Sequence, residues 1–413
     1  MIHKEILTGA FKGEMDSQWG VLTGVRPVKL ITKLKDRGLS DGEAIKSFME
    51  ELGVSEMRSR ICLAASEFSR TVRDGLAARD ILLYIGIPFC PTRCTYCSFV
   101  SNSMPGAMKL LDPFMDMLLY EMEYAAERLK ISGLNIRAVY IGGGTPTTLD
   151  EERLERLLSA VERHFGSGFD EYTVEAGRPD TVTDKKLETM LRHGVNRISI
   201  NPQSLSPAVL SAIGRQHGPE EFFHAFEAAR RAGFRYINCD LIAGLPADNP
   251  ESFKDTLRRV MELSPENITV HTLAVKRGST INELGAALPT ADEVRAMLDH
   301  GAETLTGAGY RPYYLYRQKN SAGGFENTGW TKPAMHSLYN VATMEELCGN
   351  LALGGGAVSK MMDPVTGFIT RAFNPKYPYE YNTNREKIEK CKDEFFDFYR
   401  ERSLPGIDVP NRE

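Results

Sequence analysis

Ile81-Leu82-Leu83-Tyr84-Ile85-Gly86-Ile87-Pro88-Phe89-Cys90-Pro91-Thr92-Arg93-Cys94-Thr95-Tyr96-Cys97-Ser98-Phe99 is an apolar, β-branched run that breaks at Pro88 into a loop carrying three cysteines. The apolar part predicts a strand over Ile81–Gly86. The cysteines are spaced C-x3-C-x2-C. Iron–sulfur clusters take thiolate ligands, and three thiolates from one loop, Cys90, Cys94 and Cys97, suffice for three irons of a [4Fe-4S] cubane. No fourth cysteine follows, so one iron is left for a small molecule, the open coordination of a catalytic rather than a structural centre. A structural zinc site needs four ligands, and the chain has no second C-x2-C and no nearby H-x3-H. Three unrelated exposed thiols in one loop would be a liability.

Outward from this loop, short apolar runs predict strands at Arg137–Ile141, Tyr172–Glu175, Arg197–Ile200, Tyr236–Ile242 and Ile268–Leu273. Helical patterns lie between them, at Pro113–Arg128, Glu151–His164, Asp184–His193, Pro207–Ile213, Pro219–Ala232 and Pro250–Leu263, with Ala291–Thr306 after the last. Such alternation predicts parallel βαβ units, and six strands suit a barrel, complete or partial, better than a small open sheet. In both architectures ligands gather at the carboxyl ends of the strands. The unusual residues fall there: Cys90 after the first strand, Gly142–Gly144 after the second, Glu175 ending the third, Gln203 after the fourth and Asp240 late in the fifth.

Ala138-Val-Tyr-Ile-Gly142-Gly143-Gly144-Thr145-Pro146-Thr147 runs from a strand into a glycine stretch where backbone groups can approach a ligand closely. A Rossmann fingerprint fails because position 147 is Thr; a bare strand-to-helix turn is the plainer reading. Glu175 either pairs with a ribose hydroxyl or caps the next turn. Asp240, in an apolar strand, is costly to bury unpaired and needs a ligand or a partner. Arg215 either is that partner or lies on the solvated surface.

Among the 413 residues, 42% are hydrophobic and 25% charged, and the net charge of −5 comes without a massed basic face, which argues against nucleic acid. No apolar run reaches the length of a membrane span, and the N-terminus lacks the pattern of a secretion signal. Seven cysteines, an odd number, argue against a disulfide framework and for a reducing compartment, the cytoplasm. Three regions are expected: a helical region over 1–76, a barrel over 77–310, and a C-terminal region over 311–413 ending in a charged helix near Asn384–Arg402.

Taken together, Y-I-G-I-P-F-C, G-G-G-T-P-T, V-E-A-G-R-P, the Gln203-to-Arg215 spacing and D-L-I-A-G-L-P resemble the radical SAM (S-adenosylmethionine) superfamily, and within it the oxygen-independent coproporphyrinogen III oxidase family, over about residues 81–360. Val174-Glu-Ala-Gly-Arg-Pro-Asp-Thr181, Asn201-Pro-Gln-Ser204, Tyr314-Leu-Tyr-Arg-Gln-Lys-Asn320, Phe325-Glu-Asn327 and Gly24-Val-Arg-Pro-Val-Lys-Leu30 extend the resemblance to its HemZ-type, dehydrogenase-like branch. The resemblance implies an α/β fold: a partial (β/α)6 TIM-like barrel with an N-terminal helical region and a C-terminal α+β cap over the substrate. It implies a [4Fe-4S] cluster and one or two SAM molecules. Tyr84, Gly143, Glu175 and Val358 would surround the SAM at the cluster, the G-G-G-T-P stretch from Gly142 binding its amino group. Gly144, Thr145, Gln203, Arg215, Asp240 and Ala274 would surround a second. The implied reaction is oxidative decarboxylation of coproporphyrinogen III propionates to vinyl groups, with flavodoxin or ferredoxin as reductant. The family's decarboxylases carry a further Cys two residues after the third ligand; here that position is Phe99, and C-x-F resembles the haem chaperone branch. A haem-binding chaperone, or a radical SAM enzyme acting on another tetrapyrrole, is the alternative. For a macrocycle and its carboxylates the sequence offers Tyr310, Tyr313, Tyr314 and Tyr316 with Arg311, Arg317, Lys319 and Lys332, of which Arg317 and Lys319 are the substrate candidates; the same tyrosines at strand spacing equally suit a core. His336 and Cys348 are candidate haem-iron ligands in a chaperone, though a lone His or Cys more often packs quietly.

Overall fold

The computed structural model describes residues 18–22, 24, 26–98, 102–276, 278–281, 287–318 and 321–401. Six strands appear where the apolar runs place them: β1 (Asp80–Ile87), β2 (Asn135–Gly143), β3 (Glu171–Glu175), β4 (Arg197–Ser199), β5 (Tyr236–Ala243) and β6 (Asn267–Thr272). Each pairs in parallel with the next. Their burial is nearly continuous, as expected of parallel strands covered on both faces.

Five further strands come from beyond residue 310: β7 (Arg311–Arg317), β8 (Glu326–Thr331), β9 (Gly349–Gly354), β10 (Val358–Met362) and β11 (Ile369–Phe373). They join the same sheet, whose order is β11-β10-β9-β1-β2-β3-β4-β5-β6-β8-β7. β9 lies parallel to β1, and the outer strands are antiparallel. The order has two free ends, so the barrel stays open between β11 and β7.

Among the described residues three helices precede β1: α1 (Pro27–Asp36), α2 (Asp41–Leu52) and α3 (Glu56–Gly75). Ser40 and Ser55 cap the second and third through Glu43 N–H and Arg58 N–H. α3 lays its inner face along β7, where the fully buried Arg58 pairs with Glu326 at 2.8 Å and Trp19 Nε1 donates to the same carboxylate at 2.8 Å. Between the barrel strands run α4 (Met104–Ser132), α5 (Glu151–Phe165), α6 (Asp184–Arg192), α7 (Pro207–Ala212), α8 (Pro219–Ala232) and α9 (Pro250–Glu262), with α10 (Ala291–Gly307) after β6. α5 shows the logic: Asp150 accepts from Arg153 N–H at its start, Leu154, Leu157, Leu158 and Val161 form its buried stripe, and Gly166 ends it.

The largest boundary difference from the sequence reading is at α4. α4 begins at Met104, and Pro113 sits inside it. Ala107 and Leu111 carry the buried stripe of Phe114, Met115 and Leu118 back past the proline. Pro113 is exposed, so the hydrogen bond its missing N–H forfeits is lost on the wet face, where water can serve the carbonyl. The C-terminal segment adds α11 (Leu338–Glu345), α12 (Pro378–Tyr381) and α13 (Arg385–Arg400). Among the described residues no helix is long and apolar enough to cross a membrane.

Candidate active site at the carboxyl ends of the strands

After Pro88 the chain makes a two-residue strand, Phe89–Cys90, paired with Asn102–Ser103. The cysteine loop that follows is strapped from two sides. Thr95 N–H donates to Ile213 O at 3.1 Å and Thr280 N–H to Thr95 O at 2.9 Å, while the Arg93 guanidinium donates to Gly278 O at 2.6 Å. Its root is tied to the glycine stretch, Gly144 N–H donating to Ile87 O at 2.8 Å and Thr145 N–H to Phe89 O at 2.7 Å. A Cβ on Gly144 would stand 2.5 Å from Phe89 O, and Gly143 has φ +109°. The glycines therefore let the cysteine loop lie flush on the end of β2. Gly142 faces Tyr140 and Glu175 rather than open space.

Cys90, Cys94, Cys97, Gly143, Gly144, Thr145, Glu175, Gln203, Arg215, Asp240 and Ala274 all border one cavity of about 260 Å³. The three cysteines stand at its wall outside any disulfide, and Thr145 Oγ1 lies 3.6 Å from Cys90 Sγ. No three His, Cys, Asp or Glu side chains among the described residues are gathered as round a single ion. A cubane presents its irons at separate corners and takes thiolates farther apart than one ion does, so three soft donors sharing a cavity wall fit it. Gln203 adds a ligand-ready acceptor: its backbone is held at φ +63° by pairing with β5, and its buried Oε1 has no hydrogen-bond partner among the described residues.

The carboxylates stand at the cavity floor. Glu175 accepts from the Tyr140 hydroxyl and from Gly143 N–H. Burial pushes its carboxyl up to about 7 against the Tyr140 hydrogen bond, and Asp240 adds to the rise. Asp240 finds its partner in His271, Nε2 to Oδ2 at 3.7 Å, and accepts from Asn238 Nδ2 at 2.7 Å. Burial works against its charge, but His271 and Asn238 bring the carboxyl below its ordinary value; His271 is raised in turn by Asp240 and Asn327, despite its own burial. Arg215 is neither that partner nor a surface residue. It is buried and donates to Asn201 O at 2.7 Å, Gly177 O at 3.2 Å and the Tyr96 hydroxyl at 3.4 Å. Burial opposes its charge, yet Tyr96 and Cys94 beside it keep it protonated.

His271 and Asn327 were missed as site residues. His271 is the penultimate residue of β6, and the strand-end rule that selects Asp240 applies to it equally. Asn327 sits on antiparallel β8, where the loss of alternation hides the signal.

A second cavity, of about 240 Å³, shares Ser98 and Gly143 with the first and is otherwise bordered by Tyr84, Gly86–Pro88, Gly355–Ala357 and Lys376. Tyr84 thus borders this space and not the first. Val358 borders neither; it is exposed on β10 beside Ala357. The substrate candidates need correction. Arg317 turns away from the cavity: its guanidinium donates to Leu22 O and Gly324 O and lies over the Trp19 ring, because strand alternation sends Tyr316 inward and Arg317 outward. Arg311 pairs with Glu67, and Lys332 donates to Ser264. Lys319 and Phe99 lie outside the described residues. Among the described residues the lysines and arginines at the main cavity are Arg178, Arg215 and Lys276. Tyr313 and Tyr314 are buried, and Tyr316 alone of the four tyrosines borders the cavity. His336 packs on Phe68, and Cys348 is buried with Tyr339 and Val341, so neither presents a haem ligand there.

A profile of the radical SAM superfamily matches residues 84–260. The chain is 39% identical over 385 residues to the oxygen-independent coproporphyrinogen-III oxidase-like protein HemZ of Bacillus subtilis (strain 168), covering 91% of this chain and 76% of that protein. It is 30% identical over 325 residues to the heme chaperone HemW of Escherichia coli (strain K12), covering 78% and 81%. Its fold is similar to that of coproporphyrinogen III oxidase (HemN) from Escherichia coli, described as a radical SAM enzyme, with a TM-score of 0.61 and 25% identity over 78% of this chain and 73% of that one.

Proposed function

The chain belongs to the HemZ-type branch of the radical SAM coproporphyrinogen oxidase family, and from that membership we propose that it oxidatively decarboxylates propionate side chains of coproporphyrinogen III, or of a closely related tetrapyrrole, to vinyl groups. The observation that carries this reading is the convergence of the three thiols with Glu175, Gln203, Arg215 and Asp240 on a single cavity at the strand ends. Cys90, Cys94 and Cys97 would hold a [4Fe-4S] cluster, which with SAM bound would supply one-electron reductive chemistry and hydrogen-atom abstraction. The chain's own residues bind and orient. Glu175 and Asp240 accept from ribose hydroxyls, Gln203 Oε1 takes a donor from a nucleoside, and Arg215 holds the cysteine loop against the loop after β4.

Overall, each reacting propionate would lose a hydrogen atom from its β-carbon, CO2 and one electron to become a vinyl group, the electron passing to an external one-electron acceptor. A flavodoxin- or ferredoxin-type protein is the reductant in this reading, and cysteines that form no disulfide suit a cytoplasmic setting. The C-x-F ending at Phe99 and the 30% identity to a heme chaperone favour a second reading, in which the protein binds and transfers haem.

Anaerobically reconstituted protein given dithionite, SAM and coproporphyrinogen III separates the two. Vinyl-bearing porphyrin with matching 5′-deoxyadenosine is expected. Stoichiometric haem binding without substrate-dependent SAM cleavage would overturn the enzyme reading in favour of the chaperone.

A further inference from the structure

The β10–β11 hairpin forms one free edge of the sheet. Its register sets Val358 opposite Phe373, Lys360 opposite Arg371 and Met362 opposite Ile369, and strand alternation puts all six on one face. At the lower end, Met362 and Ile369 pack with Tyr84, Tyr140 and Tyr339, so this face continues the inner one presented by β1 and β2. At the upper end, Val358 and Phe373 are 38% and 58% exposed. Their neighbours Ala357 and Lys376 border the second cavity, which meets the cysteine-lined one at Ser98 and Gly143.

Between the packed end and the open end lies a surplus of positive charge. Lys29, Arg26, Lys360 and Arg371 stand 2.7, 3.0, 3.2 and 3.7 Å from the single carboxylate of Glu346. Even with the neighbouring buried Glu345 counted, cations exceed carboxylates by two. Phe373 and Arg371 are two residues apart, about 7 Å along a strand. An apolar step beside a cationic step matches a flat, apolar molecule with carboxylates along one edge, because carboxylates take charge-assisted hydrogen bonds from guanidinium and ammonium groups.

We infer that this inner face of β10–β11 is the platform for the macrocycle: the ring lies over Val358 and Phe373, its carboxylates reach Arg371 and Lys360, and its near edge enters the second cavity toward the cysteine loop. The inference rests on the tetrapyrrole reading above and replaces Arg317 as carboxylate partner.

The test is a fluorescence titration of the anaerobically reconstituted protein with coproporphyrin III, and with its methyl ester, which lacks the charges. Phe373→Glu and Arg371→Glu are exposed-site changes; Val365→Glu, 75% exposed in the loop beyond the packed end, is the control. Each of the first two is expected to weaken binding by at least about tenfold, Val365→Glu by less than about twofold, and the ester should bind more weakly and respond less to salt. Undiminished binding by both Phe373→Glu and Arg371→Glu overturns the platform while the tetrapyrrole reading stands. Failure of the unaltered protein to bind either probe overturns both.

Discussion

At the end of β3, Glu175 lies where burial and the nearby Asp240 hold its carboxyl up near 7. The sign follows. With the folded pKa above the unfolded one, the ionised form is the costly one, so this residue's contribution to stability is lost as pH rises from about 4.5 through 7. Accepting from a ribose hydroxyl is favoured by the opposite state, the carboxylate, whose hydrogen bonds are charge-assisted. SAM affinity of the reconstituted protein, measured by equilibrium dialysis, is therefore expected to fall as pH drops below 7, approaching about tenfold per unit where this site dominates. Glu175→Gln should bind weakly and lose that slope; a slope unchanged in the variant would show that another group titrates. Arg215 makes a second prediction at this scale. Its guanidinium satisfies two carbonyl oxygens and the Tyr96 hydroxyl inside the fold, so Arg215→Ala should cost about 2–3 kcal/mol in urea unfolding and lower the iron bound per chain on reconstitution. Glu175 was legible as a candidate because it stands out by type at a strand end, whereas Arg215, which follows α7, was a candidate only as a possible partner of Asp240 and through its spacing from Gln203. The Asp240–His271 pairing was not legible, since it joins neighbouring strands through side-chain direction, which spacing along the chain does not report.

At the scale of elements, the cysteine loop is shaped by the strand ends it touches. Gly144 has no room for a side chain because the Phe89 carbonyl occupies it, so Gly144→Ala must push the loop off β2. Loss of most of the cluster is expected, read as iron and sulfide content and the charge-transfer absorbance, with little change in helical content by circular dichroism. Gly42→Ala, in α2 with nothing within 4 Å of the added methyl, is the control, neutral or stabilising by up to about 1 kcal/mol. Full cluster loading in Gly144→Ala would show that the loop anchors elsewhere. The six parallel strands were readable because buried parallel strands are continuous apolar runs bounded by helical periods. β7 to β11 were not: Glu326-Asn-Thr-Gly-Trp-Thr331 mixes polar and apolar residues because its polar groups serve specific internal partners, Glu326 with Trp19 and Arg58 and Asn327 with Thr272 N–H. Pro113 shows the reverse error, a true local rule overridden because its cost falls on the solvent side of α4.

At the scale of the whole molecule, distant segments close over an open barrel. The N-terminal segment packs on β7, the edge strand beyond β8, α3 lying along it while Arg58 and Trp19 hold Glu326 of β8. On the other side α13 is fastened to α4 by a pair with no exposure, Lys392 and Glu121, at 2.9 Å. The same carboxylate accepts from Gly354 N–H at 2.7 Å, Asn374 Nδ2 at 2.7 Å and the Tyr381 hydroxyl at 2.5 Å. Gly354, at φ +100°, lies so close to Gly86 that a Cβ would meet its carbonyl oxygen at 2.2 Å, so this network fixes where β9 turns beside β1 and hence the wall of the second cavity. An ion pair of this kind is worth little against an apolar substitute, but a partner left alone in the interior is costly. Lys392→Met is therefore expected to lose about 3 kcal/mol in urea unfolding and to speed amide exchange at Gly354–Ala357, because Glu121 is left buried without its counterion. Adding Glu121→Gln removes that charge and should recover at least about 1 kcal/mol relative to the sum of the single changes. Strict additivity would mean that α13 is held by its apolar face, Ile388, Phe395 and Tyr399, and that the network merely fills space between helices already docked.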